Sequence, residues 1–210
     1  MRTNGRILTP SGMSKEERTR RDILDTALKQ FQRFGLRKTT LEDIASAMGK
    51  KKSFLYYYFE SKDAILMAVV QREMEAILSH VRQLIDVQPT PQDKLRAFFT
   101  APLQQTLDRI RAFGQIIEEL RTNGEELSRM TNLRYTISQR EEAIFLAILN
   151  EGIAAGIFRP MDEAASKSLA SFATAAIQGI EMGFVWGSMQ TDSLAHLDEV
   201  TDVLIRGLMA

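Results

Sequence analysis

The sequence lacks several residue types on which whole classes of protein site depend. It contains no cysteine and only two histidines among 210 residues, which excludes a disulfide framework, a cysteine-based metal centre and a cysteine nucleophile. No run of 18 uncharged apolar residues is present, and the first residues, MRTNGRILTPSG, lack the apolar centre of a signal peptide. We therefore expect a cytoplasmic protein without a membrane partner.

The residue arrangements that support catalysis are also missing. His80 and His196 stand alone, and the chain has no H-E-x-x-H, no G-x-S-x-G and no Walker-type glycine loop. Adjacent carboxylates such as Glu118 and Glu119 diverge by about 100 degrees on a helix, which indicates solvated surface. We expect no enzyme activity, no metal site and no cofactor.

The net charge of zero conceals an uneven distribution along the chain. Residues 1–62 carry 14 Lys and Arg against 7 Asp and Glu, a balance of +7, whereas the remainder carries 13 against 20, or −7. This asymmetry favours one segment that meets a polyanion and another that does not. Chance clustering of solvated charge is the alternative.

The N-terminal segment begins with a basic stretch and a first amphipathic helix. Residues 1–13 show no apolar periodicity, so we expect a flexible basic arm. Ser14 opens an S-x-x-E capping box, and apolar residues then recur at helical spacing until Gly35. The spacing predicts a helix of about twenty residues between these two positions.

Two shorter helices follow the first one. Thr40 begins the second helix, and Gly49 ends it as a residue that adopts the left-handed conformation without strain. Residues 51–59 form the third predicted helix. Two short helices joined by a tight glycine turn and braced by a longer helix indicate a helix-turn-helix domain over residues 14–60.

The remainder of the chain, residues 61–210, is predicted to form a larger helical domain. The predicted helices span residues 61–87, 90–110, 112–121, 125–155, 162–186 and 193–209. We find no alternating β pattern, low-complexity tract or internal repeat. The predicted fold class is therefore all-α, with a three-helix N-terminal domain and a larger helical C-terminal domain.

The stretch GKKKSFLYYYF, residues 49–59, conflicts with ordinary folding preference. Lysines near a helix N-terminus oppose the macrodipole, at roughly 0.3–1 kcal/mol each when exposed. Three consecutive tyrosines spread over about 200 degrees of a helix, so they cannot all point into a core. We interpret the conflict as a sign of function. A solvated lysine cluster beside a tyrosine-rich core seam is the alternative.

A helical wheel separates this stretch into two faces. Leu55 and Phe59 share one face and are expected to be core anchors, whereas Ser53, Phe54 and Tyr57 lie opposite. The outward face suits duplex DNA, because lysines neutralise phosphates and tyrosine hydroxyls bond phosphates or base edges. A phenylalanine ring there would contact a thymine methyl group.

The segment TTLEDIASAMG…SFLYYYFESKDAIL resembles the DNA-binding signature of TetR-like transcriptional regulators, and the resemblance spans residues 18–70. The matching positions are Thr40, Ile44, Ala45, Gly49, the L-Y-x-Y/H-F block at residues 55–59, Ser61 and Lys62. Two positions depart from the pattern. Lys50 stands where the family usually has an aliphatic residue, and Phe54 where it usually has a small one.

The resemblance implies a homodimeric repressor that leaves a palindromic operator on double-stranded DNA when a small lipophilic effector binds. Residues expected to contact phosphates are Thr40, Lys51, Lys52, Tyr58 and Lys62, and those expected to approach bases are Ser53, Phe54, Tyr56 and Tyr57. The last two long helices, residues 162–186 and 193–209, would form the dimer interface.

The resemblance also implies an effector pocket within the C-terminal domain. Its candidate lining residues are Phe98, Phe99, Phe113, Ile117, Leu120, Tyr135, Phe172, Gln178 and Met182. Aromatic residues and methionines at helical spacing also occur in ordinary cores. The alternative is a DNA-binding protein of the same fold whose C-terminal domain binds a protein partner.

Overall fold

The computed structural model describes residues 13–121, 124–189 and 194–210, with the side chains of residues 120–133 left outside that description. The predicted basic arm falls almost wholly outside the described residues. The helices are α1 (Lys15–Phe34), α2 (Leu41–Ala47), α3 (Lys52–Tyr56), α4 (Lys62–Asp86), α5 (Pro91–Arg121), α6 (Gly124–Ala154), α7 (Glu163–Val185) and α8 (Leu197–Arg206). No strand occurs in the described parts of the chain, and the all-α prediction is confirmed.

The described residues divide into two compact units. The N-terminal unit extends to Arg72 and the C-terminal unit begins at Glu73. The division falls within α4, so this helix contributes residues to both units. The N-terminal unit contains α1, α2 and α3, and the C-terminal unit contains α5 to α8.

Side chains fix the starts of the first two helices as the sequence predicts. The Glu17 amide donates to Ser14 Oγ at 3.1 Å, and the Glu17 carboxylate accepts from the Ser14 amide at 2.6 Å. Thr40 and Asp43 form the same reciprocal arrangement at the start of α2. Each capping box satisfies amides that the first helical turn leaves without partners.

The turn between α2 and α3 depends on one glycine. Gly49 has φ of +65°, which lies in the left-handed region that other residues adopt only with strain. The chain reverses there within a few residues, as a helix-turn-helix requires.

The third helix is shorter than predicted. It covers Lys52–Tyr56 and not residues 51–59, because the amides of Tyr58 and Phe59 both bond the Leu55 carbonyl at 2.9 Å and close a turn. Lys51 precedes the helix in an extended conformation. Only one of the three lysines therefore lies inside α3, so the macrodipole conflict is smaller than the sequence suggests.

The boundary predicted near residue 111 is present as a kink within α5. Helix α5 is interrupted only at Phe113, whose backbone angles of −125° and 19° are not helical. The guanidinium of Arg109 lies 5.6 Å from the centre of the Phe113 ring. This single non-helical residue separates two helical segments, and Gly114 follows it directly.

The core of the C-terminal unit is built around aromatic rings. Phe98, Phe99 and Phe145 pack edge to face with centroid distances of 5.3–6.3 Å. Phe158 is buried beside Gly152, where an added Cβ atom would lie 2.0 Å from the ring. This close approach is possible only because the helix has no side chain at that position.

Helix α7 is long and apolar enough to cross a membrane by length and composition alone, and 39% of an apolar 18-residue stretch within it is buried inside the protein. Asp162 caps it by accepting a hydrogen bond from the Ala165 amide at 2.7 Å. The helix packs against α5 and α6. Part of the apolar surface of α7 therefore packs within the helical core.

Candidate nucleic-acid interface

The outer surface of α3 carries polar and aromatic groups above two core anchors. Leu55 and Phe59 are buried, as the wheel predicts. Ser53, Tyr56 and Tyr57 are exposed, and Tyr57 keeps 77% of its surface open to solvent. We call these three residues the recognition surface. They present two hydroxyphenyl groups and one hydroxyl on a firmly anchored support.

Phe54 and Tyr58 are half-buried and differ in this respect from the recognition surface. Their rings pack at 5.3 Å, and Tyr58 also contacts the Tyr57 ring at 4.9 Å. The Lys50 ammonium lies 5.5 Å from the centre of the Phe54 ring. Only part of Phe54 is therefore accessible to a base, and its ring mainly supports its neighbours.

Lys52 has a partner within the protein. Its ammonium contacts the Glu42 carboxylate at 2.7 Å, which joins α3 to α2. The hydrogen bond raises the pKa of Lys52 and lowers the pKa of Glu42. The Lys52 charge is therefore already partly balanced within the protein. Lys51 is exposed and precedes the helix.

Lys62 also contacts the protein itself. Its ammonium donates to the Leu36 carbonyl at 2.7 Å and to the Thr39 carbonyl at 3.0 Å. Two of its three N–H groups are thus used inside the N-terminal unit, and one remains for another acceptor. Lys62 ties the start of α4 to the loop between α1 and α2, which positions the helix-turn-helix.

The Thr40 hydroxyl is similarly occupied. It donates to Asp43 Oδ2 at 2.7 Å and accepts from the Asp43 amide at 3.2 Å. The hydrogen bonds from Thr40 lower the pKa of the Asp43 carboxyl. The Thr40 hydroxyl donates its only proton to Asp43, so no proton remains to bond a phosphate oxygen. In this structure Thr40 therefore acts as a helix cap.

Sequence reasoning missed a second brace in the N-terminal unit. Arg20 of α1 donates to the Tyr58 carbonyl at 2.9 Å, and its guanidinium stacks 4.5 Å from the centre of the Phe59 ring. Arg72 of α4 bonds Asp25 of α1 at 2.7 Å. These pairs are 38 and 47 residues apart, so no local spacing in the sequence indicates them.

The predicted pocket residues differ widely in burial. Phe98 and Phe99 are buried in the aromatic core, whereas Tyr135 and Phe172 are exposed. Phe113, Ile117, Gln178 and Met182 are partly buried, and the side chain of Leu120 lies outside the described residues. Tyr135 and Phe172 therefore do not line an internal cavity of the single chain.

A cluster of polar side chains lies between α5, α6 and α7. We call it the buried polar cluster, and its members are Thr106, Arg134, Ser138, Glu141, Gln178 and Glu181. Glu181 accepts from Thr106 Oγ1 at 2.9 Å and pairs with Arg134, and only 6% of it is exposed. Burial raises the pKa of the Glu181 carboxyl.

The sequence contains a signal for this cluster on helix α7. Gln178 stands out as a polar residue in an apolar run, but Glu181 follows it three residues later on the same helical face. The Gln178 amide reaches the Ser138 hydroxyl and the Glu141 carboxylate, the latter at 3.0 Å. Polar residues repeated at helical spacing in an apolar helix indicate such a network.

Apolar side chains remain exposed on α7 and α8. Phe172 has 75% of its surface open to solvent and lines a shallow surface groove of about 460 Å³ with Lys167, Ser168, Ser171 and Ala175. On α8, Val200, Val203 and Leu204 are exposed at helical spacing. Apolar groups concentrated on two helices mark a surface suited to a partner.

Comparison with known proteins gives a family match for the first part of the chain. Residues 23–69 match the family model described as bacterial regulatory proteins, tetR family. This match contains α2, α3 and the glycine turn between them.

Relatives with longer alignments have regulatory names. The chain is 27% identical over 158 residues to the HTH-type transcriptional repressor KstR2 of Mycolicibacterium smegmatis, across 73% of this chain and 74% of the relative. It is 34% identical over 110 residues to the HTH-type transcriptional regulator RutR of Escherichia coli K12, across 52% and 46%.

A solved structure shows the same fold over most of the chain. A TetR/AcrR-family transcriptional regulator from Thermobifida fusca aligns with a TM-score of 0.62 and 22% identity, across 90% of this chain and 98% of that one. The similarity in fold therefore extends well beyond the helix-turn-helix.

Proposed function

We propose that this chain, which resembles TetR-like regulators of transcription over its N-terminal unit, is a homodimeric repressor of a palindromic operator. The single observation that carries the proposal is the recognition surface, Ser53, Tyr56 and Tyr57, exposed on a short helix that Leu55 and Phe59 anchor. Such a helix enters the major groove in helix-turn-helix proteins. We place the regulator in the cytoplasm, where it would reach its DNA.

Different residues of the N-terminal unit would have different tasks at the operator. Ser53, Tyr56 and Tyr57 would approach base edges, with Phe54 beside them as a partly covered apolar contact. Lys51 would neutralise a phosphate, because it is exposed, and Lys52 and Tyr58 would add contacts at the edge of α3. These phosphate contacts would set the orientation of α3 on the duplex.

Thr40 and Lys62 would act mainly by holding the motif in place. Thr40 caps α2, and Lys62 holds the loop that precedes it through the carbonyls of Leu36 and Thr39. The remaining N–H of Lys62 would be available to a phosphate. Each residue thus contributes to DNA binding through the geometry of α2 and α3.

The dimer would form through α7 and α8. Phe172 is exposed beside a groove on its own helix, and a two-fold axis would let each protomer insert this ring into the groove of the other. The exposed face of Val200, Val203 and Leu204 would be covered in the same interface. Burying this apolar area would favour association.

We further propose that a small lipophilic effector binds within the C-terminal unit and releases the operator. The effector would favour a conformation with α4 tilted, in which the two recognition surfaces no longer match the half-site spacing of about 34–36 Å. Effector and DNA would then oppose each other through a coupling free energy of about 1–3 kcal/mol.

Selection from a pool of random duplexes tests the proposal. The full-length protein should enrich an inverted repeat whose half-sites are one helical turn, or a multiple of it, apart. A variant with Tyr57→Ala should select less strongly at positions within each half-site. Enrichment of no motif would contradict the proposal, and so would enrichment of a single unrepeated site.

A further inference from the structure

The three lysines at the start of α3 differ in what their ammonium groups contact. Lys50 lies 5.5 Å from the centre of the Phe54 ring, and Lys51 is exposed. Lys52 is the one of the three that pairs with an opposite charge among the described residues, since its ammonium lies 2.7 Å from the Glu42 carboxylate. The positive charge that this stretch offers to a phosphate backbone is therefore smaller than its sequence suggests.

The start of α2 places Glu42 for this contact. Glu42 is the second residue of the helix and directly precedes Asp43. The Asp43 carboxylate accepts from the amide and the hydroxyl of Thr40, at 2.8 Å and 2.7 Å. The two adjacent carboxylates thus have separate tasks, because Asp43 caps its own helix and Glu42 pairs with the neighbouring helix.

The pair of Glu42 and Lys52 lies at the edge of the recognition surface. Lys52 precedes Tyr56 by one helical turn, and its ammonium lies 5.7 Å from the centre of the Tyr56 ring. Ser53 follows Lys52 directly. A duplex in contact with the recognition surface would therefore bring its phosphates close to both Lys52 and Glu42.

Both members of the pair remain accessible to a phosphate. The Lys52 side chain is 40% exposed and the Glu42 side chain 57%. Solvent screens the attraction within such a pair, so the pair contributes little to folding stability. Beside a polyanion, however, the carboxylate and the phosphates compete for the same ammonium group.

We propose that Glu42 limits the affinity of this protein for every duplex by competing with phosphate for Lys52. In the free protein Glu42 holds the ammonium. On a duplex a phosphate takes the ammonium and leaves the carboxylate without its partner, which reduces the net gain from the Lys52 contact. Because phosphates are the same along every duplex, this reduction does not depend on base sequence. The proposal rests on the DNA-binding function proposed above and assigns to it a residue that weakens binding.

Fluorescence anisotropy of the full-length protein with a labelled duplex of mixed sequence tests the proposal. Glu42→Gln keeps the shape of the side chain and removes its charge. We expect a gain in duplex affinity of about threefold to tenfold at low salt, since both protomers of a dimer lose the competition. The gain should shrink as the salt concentration rises. Unchanged or weaker binding by the variant would overturn the proposal.

A double-mutant cycle shows whether Glu42 acts through Lys52. Lys52→Met removes the ammonium and keeps an unbranched side chain. In that background Glu42→Gln should change duplex affinity by less than about twofold, because the competition no longer exists. A gain as large as that in the wild-type background would mean that Glu42 only repels the duplex, and it would overturn the role assigned to the pair.

Glu16→Gln is the matched control for the loss of one negative charge. Glu16 is exposed and is the second residue of α1 after a capping box, as Glu42 is in α2. Both substitutions therefore remove the same charge at the same helical position. Glu16→Gln should leave duplex affinity within about twofold of the wild type, because a change in net charge alone has little effect. An equal gain from both variants would contradict a specific effect of Glu42.

The wild-type protein in the same assay separates this proposal from the function on which it rests. Failure of the wild type to bind any duplex at low salt counts against the repressor and removes both proposals. Binding by the wild type that Glu42→Gln leaves unchanged counts against the role of Glu42 alone.

Discussion

Lys51 and Lys62 carry the same charge but differ in what their ammonium groups contact. Lys51 is exposed, whereas Lys62 donates to the carbonyls of Leu36 and Thr39. We predict that Lys51→Ala weakens binding to every duplex and lowers the slope of log K against log salt by about one per protomer. Fluorescence anisotropy at several salt concentrations measures both effects.

The same comparison predicts different effects of the two substitutions on the free energy of unfolding. Lys62→Ala should lower the free energy of unfolding by about 1–3 kcal/mol, because two partly buried carbonyls lose a charged donor. Lys51→Ala should leave it unchanged and is the control. Urea denaturation measures the difference. Equal stability of the two variants would show that Lys62 does not brace the motif.

Glu181 introduces a pH dependence into the stability of the C-terminal unit. Burial raises its pKa above the ordinary value of 4.5, so the folded state holds the proton more tightly than the unfolded state. In that pH range the folded state binds more protons, and its stability falls as the pH rises. The contribution is therefore most favourable near or below the ordinary pKa and declines above it.

We predict that wild-type stability relative to Glu181→Gln declines as the pH rises from about 4.5 through the raised pKa. Urea denaturation of both proteins over this range measures the difference, and Glu142→Gln, which affects a hydrogen bond to Ser171 at the surface, serves as the control. A difference that stays constant, or grows in favour of the wild type, would contradict the assigned direction.

At the scale of single elements, the contact between Gly152 and Phe158 predicts how a substitution at Gly152 changes the melting temperature. Alanine normally stabilises a helix over glycine by about 1 kcal/mol. At Gly152 the new Cβ atom would meet the Phe158 ring at 2.0 Å, and such overpacking costs about 1–3 kcal/mol. We therefore expect Gly152→Ala to lower the melting temperature.

Gly114→Ala is the matched control for this substitution. It lies in α5, and an added Cβ atom would have no neighbour within 4 Å. It should leave the melting temperature unchanged or raise it. If the two substitutions have the same effect, the packing of Phe158 on α6 is not as described.

Most elements were predictable because their ends carry local chemical signals. The capping boxes at Ser14 and Thr40 and the glycine at position 49 mark helix boundaries by themselves. The length of α3 was not predictable, since a turn through Leu55 replaces its last helical residues. The break within α5 was predictable, and it falls at Phe113, two residues beyond the predicted position.

In the candidate site, the sequence predicted the exposure of a side chain only where that exposure follows from the position of the residue around the helix. Leu55 and Tyr57 fall on the expected sides of α3 for that reason. The partners of Lys52, Lys62 and Arg20 lie on other elements, so the sequence did not predict which groups these cations contact. Because of these long-range contacts, the lysine charges near the start of α3 are less unfavourable than the sequence alone suggests.

At the scale of the whole molecule, the exposed ring of Phe172 should decide the oligomeric state. We predict that Phe172→Glu shifts the protein from twice the chain mass of 23.8 kDa to the mass of one chain. A buried, unpaired carboxylate at a two-fold interface is strongly unfavourable. Size-exclusion chromatography with light scattering measures the mass.

Val87→Glu is the control for the dimer prediction. Val87 is as exposed as Phe172, at 75%, but lies just beyond the end of α4. Its substitution should leave the mass unchanged. An unaltered mass for Phe172→Glu would place the interface away from the groove on α7.

The most direct test of the whole account is the salt dependence of duplex binding by the wild-type protein. Contacts from Lys51, Lys52 and Lys62 in both protomers predict a slope of about −5 in log K against log salt, at about 0.9 per phosphate. A selected operator should bind more tightly than a scrambled duplex at every salt concentration. Failure to bind any duplex at low ionic strength would contradict the account.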